Sequence, residues 1–183
     1  MKIKSLTIYC SASQNLNKKF YKMARKTAEI ISNYNIKVIY GGGNVGLMGE
    51  IARTLISFKR DVIGIIPKFL AKKEKKKLNL TKLKIVSNMT KRKEQLFRLG
   101  DAFLILPGGT GTLEEVIEIL SWKILKLHNK PIIFLNFNNY WSPLLKQFDK
   151  LVENKFGNKN LQKQFVVIEK PNQLKKIFNS WIK

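Results

Sequence analysis

Apolar and polar positions along the chain follow two periods in turn. Short apolar runs occupy residues 3–10 (IKSLTIYC), 37–40 (KVIY), 61–67 (DVIGIIP), 83–87 (LKIVS), 102–107 (AFLILP), 131–136 (PIIFLN) and 164–169 (QFVVIE). Their length and β-branched content predict strands. Longer stretches with a helical repeat stand between them. Phe20, Met23, Ala24, Thr27, Ile30 and Ile31 recur at helical spacing within 18–34, and Leu113, Val116, Ile117, Leu120 and Ile124 within 112–127. Helices are also predicted over 47–58, over 89–99, near 141–154 and from Asn172 onward, while the lysine-rich stretch 68–82 fits neither period. Strands alternating with helices, most strands being continuous apolar runs, predict an α/β fold. The expected form is a doubly wound, mostly parallel sheet of about seven strands with helices on both faces, Rossmann-like. No repeat or linker divides the 183 residues, so one domain spanning 1–183 is expected. Such sheets bind ligands at the carboxyl ends of strands near a switch in strand order. The glycine-rich stretches of this chain fall at strand carboxyl ends.

Composition narrows the classes. The hydrophobic share of 44% suits a globular protein, and no apolar run is long enough to span a membrane. The first residues lack a small-residue cleavage site, so no signal peptide is expected. Cys10 is the only cysteine, which rules out an internal disulfide and suits a reducing, cytoplasmic location. The net charge of +23 would draw polyanions, but all of the 35 basic residues except Arg25, Arg53, Arg60, Arg92 and Arg98 are lysines. Asparagine and isoleucine are abundant too, a bias that an AT-rich genome imposes on surface positions. Basic and aromatic residues do not interleave, so specific nucleic-acid binding is not expected. The run from Lys72 to Lys77 reads as a solvated face.

Three motifs carry candidate chemistry. In YGGGNVGLMGE (40–50), glycines follow a strand and lead into a helix. Two readings stand: a helix N-terminus open to an anion, or a plain tight turn. The spacing is not a dinucleotide fingerprint, and no acidic residue follows the next strand to hold a ribose. In PGGTGTLEE (107–115), Gly108, Gly109 and Gly111 free the backbone, Thr110 and Thr112 add hydroxyls, and a helix follows. Exposed N–H groups and the helix dipole there make a phosphate site without a lysine. The stretch is not a Walker A loop, because Gly-Lys-Ser/Thr is missing. Thr112 and Glu115 also have the spacing of a capping box, in which the N-cap contributes about 1 kcal/mol. In MTKRKEQLF (89–97), Arg92 and Lys93 open a short helix. Arg is the better phosphate fork and Lys the better point charge, although a solvated basic face is the ordinary meaning of such a pair.

Taken in order, CSAS, YGGGNVGLMG, IP, MTKRK, DAFLILPGGTGTLEE, W and KP resemble the LOG (Lonely Guy) family of cytokinin riboside 5′-monophosphate phosphoribohydrolases. The family hallmark PGGxGTxxE matches Pro107 to Glu115, and MxxRK matches Met89 to Lys93. The resemblance runs from about residue 5 to 145. It implies hydrolysis of the N-glycosidic bond of an adenine-type nucleoside 5′-monophosphate, cytokinin riboside monophosphate or AMP. The products would be free base and ribose 5-phosphate. The implied catalytic pair is Arg92 and Glu115. Implied substrate contacts are Lys93, the loop Gly108, Gly109, Thr110, Gly111 and Thr112, and Glu74 in the loop after Ile66-Pro67. Ser121 stands where the family has a threonine, and Gly42 and Gly43 belong to the first glycine loop. No cofactor and no metal are implied, and a homodimer is, with sites that share residues across its interface. The apolar positions of 89–99 and 112–127 would serve that interface or the core. Family members often carry the label lysine decarboxylase, but no pyridoxal phosphate site is recognisable here.

The chain departs from the family pattern in two places. Cys-Gly-Ser-Ser becomes Cys10-Ser11-Ala12-Ser13, and the His-Glu before Arg-Lys becomes Thr90-Lys91. Both departures bear on substrate fit and leave Arg92 and Glu115 in place. Cys10 reads as a buried strand-end residue and His128 as part of a helix end. A rival reading of the same fold is a nucleotide-binding or carrier protein without turnover, like the molybdenum cofactor carriers that share the PGG loop.

Overall fold

The computed structural model describes residues 3–72 and 79–182. Seven strands form a single sheet: β1 (Ser5–Tyr9), β2 (Lys37–Tyr40), β3 (Val62–Pro67), β4 (Lys82–Val86), β5 (Ala102–Ile105), β6 (Ile132–Leu135) and β7 (Val166–Ile168). Their order is β4-β3-β2-β1-β5-β6-β7, and every neighbouring pair is parallel. The chain therefore builds outward from β1 in one direction, then returns to place β5 on the other flank of β1. The switch in strand order lies between β1 and β5, where the crossovers diverge and leave a crevice at the strand carboxyl ends.

The helices are α1 (Lys18–Ser32), α2 (Gly46–Ser57), the single turn α3 (Lys68–Ala71), α4 (Met89–Leu99), α5 (Thr110–Ile124), α6 (Ser142–Glu153) and α7 (Leu174–Ile182). The pleat sends alternate residues to opposite faces, and each face has its own core. Leu6, Ile8, Val38, Tyr40, Leu104 and Leu106 pack with Met23 and Ile31 of α1, Leu47 and Leu55 of α2, and Phe178 of α7. Tyr9, Ile39, Phe103, Ile105 and Phe134 pack with Leu96 of α4, Val116 and Ile119 of α5, and Phe148 of α6. Burying each such side chain contributes about 1.5–3 kcal/mol before the entropy of ordering it is subtracted.

Element boundaries move where local capping overrides periodicity. Helix α1 starts after Asn17, whose side chain accepts from the Lys19 N–H at 3.0 Å, and it stops at Ser32. Helix α5 starts at Thr110, two residues before the position predicted from the apolar repeat. The last strand is shorter than its apolar run because a 3-10 turn, Leu161–Gln164, takes up its beginning. Another 3-10 turn, Pro171–Gln173, delays the final helix to Leu174. Among the described residues no helix is long and apolar enough to cross a membrane.

Two polar ties fix the central elements. Asp101, just before β5, accepts from the Lys4 and Ser5 N–H groups and from the Ser5 hydroxyl, at 2.9–3.0 Å. The buried Thr7 hydroxyl donates to the Leu96 carbonyl at 2.8 Å and so seats α4 on β1. Gly100 must be small there, since a Cβ on it would lie 2.3 Å from Thr7 Oγ1.

Candidate active site

A cleft of about 390 Å³ opens at the carboxyl ends of β1 and β5. One wall is the loop Cys10-Ser11-Ala12-Ser13 with Met48 of α2; the other is Gly109 to Thr112 with Glu115 of α5 and Arg92 of α4. The two strand-end loops are tied directly, the Ser11 N–H donating to the Pro107 carbonyl at 3.1 Å.

Each side chain reaches the cleft for a local reason. Asn88 caps α4, its side chain accepting from the Lys91 N–H at 2.9 Å, and this puts Arg92 in the first helical turn. Arg92 points inward, its Nε donating to the Ile65 carbonyl at 3.4 Å and its Nη1 to Glu115 Oε1 at 3.0 Å. Both partners are buried, with side chains 9% and 4% exposed. A buried ion pair of this kind is costly to desolvate and is poor evidence of stabilisation for its own sake. Burial pushes the Glu115 carboxyl up to about 7, against the pull of Arg92. A carboxyl that gains or loses its proton near neutral pH, facing a cleft, suits general acid–base work.

The cap reading of Glu115 does not hold in this fold. Gly109, in extended backbone, is the N-cap of α5, and no side chain caps that end. Thr112 lies within the helix, buried against Gly108, where an added Cβ would stand 2.2 Å from Thr112 Oγ1. The first bond of the α5 ladder runs from the Leu113 N–H to the Gly109 carbonyl. The N–H groups of Thr110, Gly111 and Thr112 precede it at the positive end of the helix dipole, the arrangement that favours an anion. Gly109 and Gly111 are open, since a Cβ on either would meet nothing within 4 Å.

The N-terminus of α2 behaves differently. Its Leu47 and Met48 N–H groups both donate to the Ser11 carbonyl, at 2.9 and 3.2 Å. Of the two readings of the first glycine motif, the tight turn therefore holds. Gly46 has φ of +61° and lies against the Ser11–Ser13 backbone; Gly42, with φ of +78°, makes the turn above Ile65 and Ile66. Arg53 donates to the Asn44 carbonyl at 2.8 Å, and the buried Glu50 pairs with Arg25 at 2.7 Å, which anchors α2 against α1.

The fold thus brings Arg92, Glu115, Gly109, Thr110, Gly111 and Thr112 to one cleft, with Gly108 packed behind Thr112. Gly42 and Gly43 stand beside it in the turn, outside its lining. Lys93 bridges Glu114 at 2.7 Å and Glu118 at 3.1 Å, tying α4 to α5. Ser121 is exposed farther along α5, and Glu74 lies outside the described residues. Among the described residues no group of three or more His, Cys, Asp or Glu side chains is placed to hold a metal ion.

Sequence reasoning missed several cleft residues. Met48 and Cys10 are two that line it, and the central place of β1 is the signal for Cys10; Ser11 to Ser13 follow Cys10 and are the departure already read as bearing on substrate fit. Gly41 lies outside the lining but bears on it, because a Cβ there would lie 2.2 Å from Arg92 Nη2 and 3.1 Å from the Met48 thioether. Tyr140, outside the lining, supports the loop from behind, its hydroxyl donating to the Gly108 carbonyl at 2.7 Å. Burial drives the Cys10 thiol far above its usual range, so it is no nucleophile at neutral pH. His128 accepts the Lys130 N–H at Nδ1 and meets the Ile119 carbonyl through Nε2 at 2.8 Å, a tie between the turn after α5 and that helix.

Known proteins resemble this chain in sequence and in fold. The family model described as "Possible lysine decarboxylase" matches residues 48–178. A cytokinin riboside 5′-monophosphate phosphoribohydrolase of Rhodococcoides fascians is 41% identical over 147 residues, 80% of this chain and 74% of that protein. One of Arabidopsis thaliana is 41% identical over 157 residues, 85% of this chain and 73% of that protein. Among solved structures, a molybdenum cofactor binding protein of Rippkaea orientalis superposes with a TM-score of 0.73 over 100% of this chain and 99% of that one. At 20% identity, that likeness speaks for the fold alone. With the family model over most of its length and relatives this close, the chain belongs to the LOG family of cytokinin riboside 5′-monophosphate phosphoribohydrolases.

Proposed function

We propose that this protein hydrolyses the N-glycosidic bond of a cytokinin riboside 5′-monophosphate or of AMP, releasing free base and ribose 5-phosphate. One observation carries the reading: a buried Arg92–Glu115 pair faces the same small cleft as the open N-terminus of α5. The substrate's 5′-phosphate binds the N–H groups of Thr110, Gly111 and Thr112, with Gly108 and Gly109 shaping the loop. This sets the ribose beside Glu115. The C1′–N bond breaks with its electron pair leaving on the base, and the sugar passes through an oxocarbenium-like state. The Glu115 carboxylate stabilises that cation and takes one proton of the water whose OH adds to C1′, while the departing base takes up one proton and leaves as the neutral free base. Arg92 holds Glu115 in place and orients the substrate. Gly42 and Gly43 act through the turn beside the cleft, and Lys93 acts through the α4–α5 tie.

The enzyme works in the cytoplasm as a homodimer, needing neither metal nor cofactor. Ile117, Leu125 and Leu127, on α5 and just beyond it, are exposed apolar residues that suit such an interface.

The test is direct. The protein is incubated separately with AMP and isopentenyladenosine monophosphate, and free base is quantified from each. Base release from either is the expected result, and the ratio identifies the preferred substrate. Tight nucleotide binding with no base released from either would overturn hydrolysis in favour of a carrier.

A further inference from the structure

Phosphate at the start of α5 and ribose beside Glu115 leave the base of the proposed nucleotide one place in the cleft. The remaining lining is Cys10, Ser11, Ala12, Ser13 and Met48, the other wall. That wall is pinned from behind. The Ser11 N–H donates to the Pro107 carbonyl at 3.1 Å, and the Ser11 carbonyl accepts from the Leu47 and Met48 N–H groups. Gly46, with φ of +61°, closes on the same stretch: a Cβ there would lie 2.6 Å from the Ser13 carbonyl oxygen and 2.7 Å from the Ala12 carbonyl carbon. A base therefore meets a fixed surface, and what that surface carries decides which bases fit.

Its side chains carry little that reads a base by hydrogen bonding. Ser11 is 8% exposed and its Oγ accepts from the Ser13 N–H at 3.0 Å, so that oxygen and that amide satisfy each other within the loop. The buried Cys10 thiol is a weak donor and the Met48 thioether a weak acceptor. Ser13 is exposed, where water competes for its hydroxyl. Ala12, exposed and in the lining, adds a methyl. The family pattern has glycine and then serine at these two positions. In this chain the hydroxyl sits one residue earlier, at the position turned into the loop. On the placement of phosphate and ribose proposed above, we infer that Ala12 is a specificity-determining residue: its methyl makes this wall hold the base by packing, and the cleft takes purine nucleotides that differ in their hydrogen-bonding edges. A site that hydrogen-bonds a substrate group rejects an analogue lacking it by about 10⁴–10⁵, whereas an apolar pocket separates ligands by roughly 10- to 200-fold per methylene.

Calorimetry on Glu115→Gln, whose turnover is expected to be slow, measures binding whether or not the wild type releases base. The ligands are AMP, IMP, purine riboside 5′-monophosphate, which has hydrogen in place of the amino group, and ribose 5-phosphate, which has no base. The three nucleotides are expected to bind within about a hundredfold of one another. Ala12→Leu, added to that protein, puts a bulkier apolar group at the same point. It is expected to weaken all three nucleotides by at least about tenfold and ribose 5-phosphate by less than about twofold. Retained ribose 5-phosphate binding also reports that this variant is folded. Gly111→Ala, at the phosphate, is expected to weaken all four ligands alike. A gap between nucleotides wider than about a hundredfold would overturn the inference, because a fixed hydrogen bond would then be reading the base. A smaller effect of Ala12→Leu on the nucleotides, or an equal loss of ribose 5-phosphate, would overturn it as well. The expected binding pattern with no base released by the wild type would keep Ala12 in this role and remove hydrolysis alone.

Discussion

Glu115 is held between two opposing influences. Its burial favours the neutral acid and Arg92 favours the carboxylate, and burial outweighs the pairing enough to bring titration close to 7. If the ionised form is the working one, kcat/KM rises with pH through about 7 and levels above it. Glu115→Gln keeps an oxygen for Arg92 and loses the titration. Base release by that variant is expected to fall about a hundred- to ten-thousand-fold and to lose the limb near neutrality. Full base release by the purified variant would remove Glu115 from the chemistry. Stability carries the same signature. Between the unfolded carboxyl's ordinary 4.5 and about 7, the native state holds a proton that the unfolded state has lost, so wild-type stability falls as pH rises through that window. Denaturant unfolding at pH 5 and pH 8 should therefore find Glu115→Gln gaining on the wild type at the higher pH.

At the scale of elements, α4 and α5 carry the side chains proposed to react, and the glycine loops keep their surroundings narrow. Two glycines separate these roles. Gly41→Ala would drive a methyl into the Arg92 guanidinium, so activity should drop sharply while the circular dichroism spectrum stays native. Gly111→Ala meets nothing and occupies a helical residue, so its melting temperature should hold or rise. Its methyl would stand by the N–H groups assigned to the phosphate, so KM for the nucleotide should rise. Equal activity losses with equal KM in both variants would contradict this division. The strands were legible because a sheet covered on both faces needs continuous apolar runs such as 102–107. Arg92 and Glu115 were legible through the motifs that hold them, yet their ion pair spans 23 positions and follows from how α4 and α5 pack. The start of α5 was misread because Thr112 and Glu115 have capping-box spacing, while the actual cap is a glycine with no side chain to betray it. The occupied α2 N-terminus could not be read locally, because its acceptor, Ser11, comes from another strand's end.

For the whole molecule, surface character separates two kinds of contact. The basic charge is spread widely, whereas exposed large apolar side chains include Ile117, Leu125 and Leu127 on and after α5. If these form the homodimer interface, light scattering should give twice the chain mass, and Ile117→Asp with Leu127→Asp should halve it. A wild-type mass equal to a single chain would dismiss the dimer. The two walls of the cleft also have separate origins. Arg92, Glu115 and the open N–H groups at the start of α5 come from α4 and α5, whereas Ser11, Ala12, Ser13 and Met48 come from the β1 end and α2. The departure from the family pattern at Ser11 and Ala12 falls wholly on the second wall. Such a partition lets what the cleft admits diverge during evolution while Arg92 and Glu115 are kept, as they are here beside the changed Thr90-Lys91 of α4.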